Sequence, residues 1–269
     1  MKRIAIHSVP RSGSSWVGQI FNSSADVNFK FQPLFSYAFK DYLVSTSSLK
    51  DINTFFELIA NSNDPFLLQQ DKVDKGSYPV FGKKEQPISI AYKEVRYHHI
   101  LKNMLKVDPD IIVIGIVRSP YAVINSFLNA PREFRKDLGW DELSEWQYAD
   151  KKNLDRPEEF FGYEKWKEVA LLFQELKKQY PDRFYLVRYD QLLTNSLQEV
   201  ENIFDFCGIE VTDQTISFLK KSSQENQEDT YSVYKKKTTD DSWKKSLNPI
   251  IMDKISKDLK NNSLEEYLV

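Results

Sequence analysis

The chain has 269 residues, of which 41% are hydrophobic and 14% aromatic, and its formal net charge is −2 at pH 7. This composition is typical of a globular protein and excludes a disordered chain, while the near-neutral charge argues against a general nucleic-acid binder. Cys207 is the only cysteine, so the sequence excludes an intrachain disulfide and a cysteine-based metal site, and we expect no metal.

The amino-terminal segment predicts a strand, a phosphate-binding loop and a helix. We expect a strand over 2–8, a loop over 10–16 with the sequence Pro-Arg-Ser-Gly-Ser-Ser-Trp, and a helix over 14–24. Gly13 permits close backbone approach, Arg11 supplies a fixed positive charge, and the free N–H groups at the start of the helix point to the same place. The loop therefore predicts an anion site; the alternative is that Ser14 only caps the helix in a polar turn.

Between this loop and the middle of the chain, the sequence predicts two further strands and long connections. We expect a strand over 27–31, a helical, aromatic-rich stretch over 34–59, a long loop or lid over 61–87, a strand over 88–93 and a helix over 94–106. Repeated proline and glycine residues within 61–87 interrupt any regular element there.

A second anion-binding position is predicted midway along the chain. Residues 111–117 form a continuous, mostly β-branched apolar run, which is typical of a parallel strand buried on both faces, and a helix over 120–129 follows. Arg118 thus lies at the carboxyl end of a central strand, where open α/β sheets bind ligands, and Ser126 lies about two turns along the helix. These two side chains can hold one phosphate between them; alternatively, Arg118 only caps the helix and forms a salt bridge.

The remaining chain completes an alternation of strands and helices. We expect an irregular, charged segment over 131–157, a strand over 184–189, and helices over 163–179, 196–206, 212–222 and 248–260. This order predicts an α/β fold over residues 1–269, a single domain in which a mostly parallel central sheet is flanked by helices. Because parallel strands end at one edge of a sheet, Gly13 and Arg118 are expected to lie close together.

Together, the two motifs resemble those of sulfotransferases that use 3′-phosphoadenosine 5′-phosphosulfate (PAPS). In that family a Pro-Lys/Arg-Ser-Gly-[Ser/Thr]-[Ser/Thr]-[Trp/Phe] loop binds the 5′-phosphosulfate, and an Arg followed eight residues later by Ser binds the 3′-phosphate. Residues 10–16, Arg118 and Ser126 match these motifs in order. The resemblance, which covers most of the chain, implies a P-loop-like three-layer fold. It also implies transfer of the sulfuryl group of PAPS to an acceptor hydroxyl, which leaves adenosine 3′,5′-bisphosphate (PAP).

The resemblance implies which residues bind PAPS. They are Arg11, Ser12, Gly13, Ser14, Ser15, Trp16, Arg118, Ser126, Tyr189, Lys237, Trp243 and Lys244. Trp16 is expected to stack on adenine and Tyr189 to touch the exocyclic amine. Three of these residues also have a purely structural interpretation. Trp16 could be a core residue, Tyr189 an ordinary strand aromatic, and Lys237 part of a solvated run of lysines.

Two segments, residues 12–36 and 92–96, are more similar to the carbohydrate sulfotransferase branch than to the branch that acts on steroids and phenols. The resemblance therefore implies a saccharide or glycan acceptor. The implied acceptor-binding residues are Gln32, Phe35 and Arg96. We expect the insertions around 61–87 and 131–162 to form a lid or to bind the acceptor.

The catalytic assignments depart from the family at one position. Arg11 is expected to neutralise the leaving phosphate and Lys93 to reach the sulfuryl oxygens; the alternative for Lys93 is an ordinary surface lysine. Carbohydrate sulfotransferases usually have a glutamate, taken as the general base, where this chain has Gln32, and glutamine cannot accept a proton at any useful pH. Glu94 and His98 are therefore the first candidates for the base, with His7 next; a structural role is the alternative for each.

Two rival functions remain to be weighed against the sulfotransferase. A non-catalytic protein that binds PAPS or a saccharide would keep the fold and lose the base, in keeping with Gln32. A nucleoside or nucleotide kinase would share the strand, loop and helix, but it needs a lysine after the loop glycine and a carboxylate after the central strand. This chain has Ser14 and Arg118 in those places, which disfavours the kinase.

Targeting signals are not evident in the sequence. No apolar run approaches the roughly 20 residues that a membrane span needs, and the amino terminus is too short for a secretory signal. We expect a bacterial, cytoplasmic enzyme that lacks the membrane attachment of its animal counterparts. Its partners are expected to be the nucleotide donor and an acceptor, without nucleic acid.

Overall fold

A computed structural model of the chain describes residues 1–225, 232–234 and 239–269. The strands in these ranges are β1 (Lys2–Ser8), β2 (Val27–Phe31), β3 (Ser89–Glu94), β4 (Ile111–Val117) and β5 (Phe184–Arg188). They form one sheet in the order β2-β3-β1-β4-β5, and all neighbouring strands are parallel. The predicted parallel central sheet is confirmed.

Helices flank the sheet. They are α1 (Ser14–Ser23), α2 (Leu49–Ala60), α3 (Gln70–Asp74), α4 (Leu101–Val107), α5 (Pro120–Leu128), α6 (Glu142–Glu145), α7 (Asp150–Asn153), α8 (Tyr163–Gln179), α9 (Tyr189–Thr194), α10 (Ser196–Cys207), α11 (Asp213–Gln224), α12 (Trp243–Ser246) and α13 (Pro249–Leu259). Short 3-10 helices span Pro33–Phe35, His98–Ile100, Lys136–Leu138 and Glu265–Tyr267. Among the described helices, none combines the length and the apolar character that crossing a bilayer requires.

Alternate residues of the central strands contribute to two separate hydrophobic cores. Ala5 and Val113 belong to a core that includes buried residues of α2, α4, α5 and α8. Ile4 and Ile114 belong to a second core that includes buried residues of α1 and α10. Since successive side chains of a strand point to opposite faces, helices cover both faces of the sheet. The fold is therefore the three-layer α/β arrangement that the sequence predicted.

The position of β1 determines where a ligand site can form. β1 pairs with β3 on one side and with β4 on the other, and His7 near its end lies beside Glu94 and Gly115 in register. The segments that follow these three strands therefore leave the sheet at the same edge. This edge brings residues 10–16, 95–97 and 118–119 together.

The helical stretch predicted over 34–59 is wrong in its first part, because a helix begins only at α2. Ser36 uses its hydroxyl locally, donating to the carbonyl three residues before it and accepting from the N–H three residues after it. Asp41 has a left-handed backbone with φ 56°. Helix α2 begins where Ser48 and Asp51 form a reciprocal capping box. The hydrogen bonds of the Ser36 hydroxyl to the backbone compete with helix formation before α2.

Other boundaries also differ from the sequence prediction. The helix predicted over 94–106 starts later, because β3 continues through Glu94 and Tyr97 has a left-handed φ of 59°. Tyr189, predicted to end a strand, begins α9 instead. The loop predicted over 61–87 contains the short helix α3, and the irregular segment over 131–157 contains α6 and α7.

Candidate active site

A cavity of about 870 Å³ lies at the carboxyl edge of the sheet. Its volume is in the range of small-molecule sites, and its place is where open α/β sheets bind ligands. One part, here called the loop side, is lined by the loop after β1 together with Arg118, Ser126 and Tyr189. The other part, the phenylalanine side, is lined by Phe31, Phe35, Phe66 and Phe161.

The loop after β1 has the backbone shape of an anion cradle. Gly13 precedes α1 with φ 83°, and Arg11 is left-handed with φ 71°. Gly13, the N-cap residue of α1, has no side chain to cap the amino-terminal N–H groups, and Ser14 and Ser15 lie on the cavity wall. A Cβ atom added to Gly13 would lie 2.2 Å from Cε2 of Tyr189, so this position requires glycine both for space and for its dihedral angle.

The structure brings the two predicted anion-binding positions together. Nε of Arg11 donates to Oγ of Ser126 at 3.0 Å, and Nη1 of Arg118 donates to the backbone carbonyl of Arg11 at 2.6 Å. Trp166 fixes the end of β4 by donating from Nε1 to the carbonyl of Arg118 at 2.9 Å. Two guanidinium groups, one hydroxyl and the start of α1 thus share the loop side of the cavity.

Arg118 is paired with a carboxylate from the carboxyl-terminal part of the chain. Its Nε and Nη2 atoms donate to the two carboxylate oxygens of Asp240 at 2.6 and 2.5 Å. The side chains of Arg118 and Asp240 are only 9% and 7% exposed. Burial opposes the charge of Arg118, but the hydrogen bonds to Asp240 nevertheless raise its pKa above the usual value.

The phenylalanine side combines aromatic rings with cations. The rings of Phe31 and Phe35 lie 5.5 and 6.2 Å from the ring of Phe66, and the guanidinium of Arg96 lies 4.1 Å from the centre of Phe35. Nε of Arg96 forms a 2.7 Å ion pair with Glu159. This part of the wall can hold an apolar or ring-shaped group beside a fixed positive charge.

Two of the predicted acceptor-binding residues touch each other on this side. Nη1 of Arg96 donates to Oε1 of Gln32 at 3.3 Å, and both residues line the cavity. A second ion pair, between Lys152 and Glu133 at 2.6 Å, also lines the cavity, with Lys152 4.9 Å from the ring of Phe161.

Lys93 lies on the cavity wall with only 2% of its surface exposed. Its Nζ atom is 4.5 Å from the centre of the Phe31 ring. Burial lowers the pKa of Lys93 to about 7; Glu94 opposes this effect, and Arg96 and Arg11 reinforce it. The amine of Lys93 is therefore partly neutral near pH 7, and an anion that binds beside it favours the protonated form.

The two first candidates for the general base are not on the cavity wall. Glu94 and His98 are both fully buried, and burial raises the pKa of Glu94 to about 8. His98 packs against Phe160 with 4.4 Å between ring centroids, and its Nδ1 lies 3.1 Å from Nδ1 of His7. Burial lowers the pKa of both imidazoles, that of His7 to about 3. All three groups belong to the protein interior.

The remaining residues predicted to bind PAPS are in different places. Trp16 and Tyr189 line the cavity with 6.4 Å between their ring centroids, and Nε1 of Trp16 donates to Ser222. Trp243 instead stacks on Tyr121 beside α5 with 4.4 Å between ring centroids, and Lys244 lines a smaller neighbouring pocket. Ser12 is a buried residue of the loop, and its hydroxyl has no hydrogen-bond partner among the described residues. Lys237 lies outside the described residues.

Comparison with known families identifies the fold and the motifs. The sequence model described as "Sulfotransferase family" matches residues 3–213, which include both predicted anion-binding motifs. The chain belongs to the sulfotransferase family. No curated protein sequence is significantly similar to this sulfotransferase.

Solved structures support the fold of this sulfotransferase. Mouse sulfotransferase SULT7A1 complexed with PAP is 13% identical, with a TM-score of 0.55 over 99% of this chain and 88% of that chain. Retinol dehydratase in complex with androsterone and inactive cofactor PAP is 12% identical, with a TM-score of 0.53 over 97% of this chain and 82% of that chain. At such identities the likeness concerns the fold.

Several wall residues of this sulfotransferase were not singled out from the sequence. They are Phe66, Glu133, Lys152, Phe161 and Ser222 on the cavity wall, and Asp240 on Arg118. The first four come from the two segments predicted as insertions. The sequence therefore indicated these segments as a lid or acceptor-binding region, but it did not indicate the individual residues. Asp240 is 122 residues from Arg118, and no local pattern marks it.

Metal ligands are not grouped in this site. Among residues 1–225, 232–234 and 239–269, no cluster of three or more His, Cys, Asp or Glu side chains could hold a metal ion.

Proposed function

We propose that this sulfotransferase moves the sulfuryl group of PAPS to an acceptor hydroxyl and releases PAP. The observation that carries the proposal is the meeting of Arg11, Ser126 and Arg118 with the start of α1 on one side of a single cavity. PAPS has anionic groups at both ends of its ribose, and this arrangement supplies cations and hydroxyls for both. The PAP complexes of the two structural neighbours agree with this donor.

The groups on the loop side of the cavity suit the parts of PAPS. The uncapped N–H groups of α1, with Ser14 and Ser15, suit the 5′-phosphosulfate, because a helix N-terminus favours negative charge. Arg118 and Ser126 suit the 3′-phosphate, since guanidinium binds phosphate through paired hydrogen bonds. Trp16 and Tyr189 would contact the adenine. Lys244, Trp243 and Lys237 stay sequence predictions of PAPS-binding residues.

The reaction proposed is an in-line displacement at sulfur. The acceptor oxygen forms a bond to sulfur while the bond from sulfur to the bridging phosphate oxygen breaks, and PAP leaves with that electron pair. The hydroxyl proton passes to a carboxylate on the cavity wall, for which Asp71 and Glu133 are the candidates. Arg11 and the loop N–H groups would stabilise the charge on the leaving phosphate, and Lys93 the charge on the sulfuryl oxygens. Positioning and electrostatic stabilisation do most of the work when charge is spread over the group in transfer.

The acceptor belongs to the phenylalanine side in this proposal. The saccharide acceptor implied by the sequence resemblance could stack on Phe35 and Phe66, which are 44% and 40% exposed. A second candidate is an apolar or aromatic alcohol, for which the four phenylalanine rings supply apolar contact area. The segments around 61–87 and 131–162 supply wall residues for either acceptor.

Transfer of radiolabelled sulfate from PAPS into panels of both acceptor classes tests the function. Labelled product from either panel supports sulfotransferase activity and identifies the acceptor class. Calorimetric binding of PAPS without transfer to any member would favour the non-catalytic alternative. The bacterial, cytoplasmic setting stays a prediction from the sequence.

Binding of PAPS is expected to take up a proton at alkaline pH. Because burial lowers the pKa of Lys93 to about 7, its amine is largely neutral above that pH until a sulfuryl group beside it restores the charge. The affinity for PAPS is therefore complete below about pH 7 and declines as the pH rises above that value. Calorimetry in buffers of different ionisation enthalpy at about pH 8 should show uptake approaching one proton.

Lys93→Met is the matched control for this measurement, because methionine has a similar length and no proton to gain. Its complex should form with almost no uptake. Equal uptake in the wild-type protein and the variant would show that another group gains the proton.

Replacing either buried candidate base is expected to cost little activity. Glu94 and His98 do not line the cavity, so Glu94→Gln and His98→Ala should each lower turnover by less than the roughly 100-fold expected for loss of a general base. Initial rates of sulfate transfer at saturating PAPS measure this. A loss of about 100-fold or more in either variant would make that residue the base. Asp71 and Glu133, which are carboxylates on the cavity wall, are the next to replace.

A further inference from the structure

Each nitrogen of the Arg118 guanidinium donates a hydrogen bond within the protein. Two of its nitrogens donate to Asp240 and the third donates to the carbonyl of Arg11. A guanidinium binds a carboxylate or a phosphate through the same paired donors. The carboxylate of Asp240 therefore lies where an anionic ligand that pairs with Nε and Nη2 of Arg118 would bind.

The segment that carries Asp240 docks on the same helix as the proposed phosphate site. Trp243 stacks on Tyr121, and Oγ of Ser246 donates to Oδ1 of Asn125 at 3.0 Å, both partners being on α5. α5 also provides Ser126, the hydroxyl beside Arg11. Anchoring by Trp243 and Ser246 holds Asp240 near Arg118 even when the ion pair is broken.

We infer that Asp240 is an internal substitute for the 3′-phosphate, and that PAPS binds by displacing this carboxylate from Arg118. The inference rests on the proposed function, since it concerns the same nucleotide site. A phosphate monoester carries about −1.5 to −2 charges near neutral pH against −1 for a carboxylate, so the phosphate forms the stronger pair. Arg118 is buried, and the exchange leaves it paired in both states.

The exchange has a consequence for the end of the reaction. After transfer, PAP must leave although its 3′-phosphate is held by a buried arginine. Because Asp240 stays tethered close by, it can re-form the ion pair as the phosphate departs, and the leaving product does not expose an unpaired buried charge. Asp240 thus lowers the affinity for PAP in a way that favours release.

Calorimetry on Asp240→Asn tests the inference with PAP and adenosine 5′-monophosphate (AMP) as ligands. Asparagine keeps the shape and removes the competing charge, so the Kd for PAP should fall about tenfold relative to the wild-type protein. AMP has no 3′-phosphate, and its Kd should stay within about twofold. Asp241→Asn is the matched control, because Asp241 is exposed and accepts a hydrogen bond from Thr239. Both affinities should be unchanged in that variant.

Loss of the buried partner could also destabilise the folded protein, so thermal unfolding is measured alongside. The rise in Tm at saturating PAP should be larger for Asp240→Asn than for the wild-type protein. Asp240→Ser, which also removes the charge, replaces Asp240→Asn if that variant does not fold. An unchanged or weaker affinity for PAP in the variant, with PAP bound normally by the wild-type protein, would overturn the role of Asp240. Absence of PAP and AMP binding in every variant and in the wild-type protein would instead overturn the nucleotide site itself.

Discussion

Replacing Arg11 by alanine is expected to lower the turnover number of sulfate transfer by about 10- to 150-fold, the range given by one charged hydrogen bond of about 1.5 to 3 kcal/mol. Arg11 lies on the cavity wall in the loop proposed to hold the 5′-phosphosulfate; its guanidinium donates to Ser126, and its backbone carbonyl accepts from Arg118. Its charge opposes the negative charge that builds up on the leaving phosphate, so its removal raises the barrier more than it weakens PAPS binding. Initial rates at saturating PAPS and acceptor measure the effect.

Arg11→Lys is the matched control for this prediction. Lysine keeps the positive charge and loses the Nε hydrogen bond to Ser126 together with the planar fork. Its turnover should lie between those of the wild-type protein and Arg11→Ala. Unaltered turnover in Arg11→Ala, and in Ser14→Ala from the same loop, would remove this loop from the reaction.

The second large effect is expected at Arg118, and it is selective for the ligand. Arg118→Ala should weaken the binding of PAP by about 10- to 150-fold, because a phosphate loses its charged donor pair. The affinity for AMP should change by less than about threefold, since AMP has no group for this site. Calorimetry with both nucleotides measures the difference, and equal losses for both would refute the assignment of Arg118 to the 3′-phosphate.

The pairing of Arg118 with Asp240 makes a second background necessary. Alanine at position 118 leaves the Asp240 carboxylate buried without this partner, which destabilises the folded protein. The comparison is therefore repeated in the Asp240→Asn background, where no buried charge is left behind. The selective loss for PAP should be seen in both backgrounds.

Local sequence patterns were sufficient for most of the elements that build the sheet. The β-branched run over 111–117 and the apolar stripe over 163–179 have the periods of a buried strand and an amphipathic helix, and both elements form with those bounds. The predicted helix boundaries are wrong where side chains hydrogen-bond to nearby backbone groups, as at Ser36, or where a residue such as Tyr97 has a left-handed backbone. These features depend on geometry that periodicity does not describe.

The residues of the loop side could be predicted from the sequence because they lie in short motifs at strand ends. In a parallel sheet the ends of neighbouring strands meet at one edge, so two motifs 107 residues apart, at Arg11 and Arg118, could be placed together from sequence. The phenylalanine side was predictable only in part, since Phe66 and Phe161 reach the cavity from irregular segments whose paths follow no repeat.

The sequence by itself determined the fold class and the family, and it predicted the two anion-binding motifs, because each depends on residues that are close together along the chain or on the rule that parallel strands share an edge. Only the tertiary structure decided that Glu94 and His98 are buried away from the cavity, that Lys93 lies on its wall, and that Asp240 pairs with Arg118. Burial and the pairing of distant charges are set by how whole elements pack against one another, and no local pattern encodes that packing.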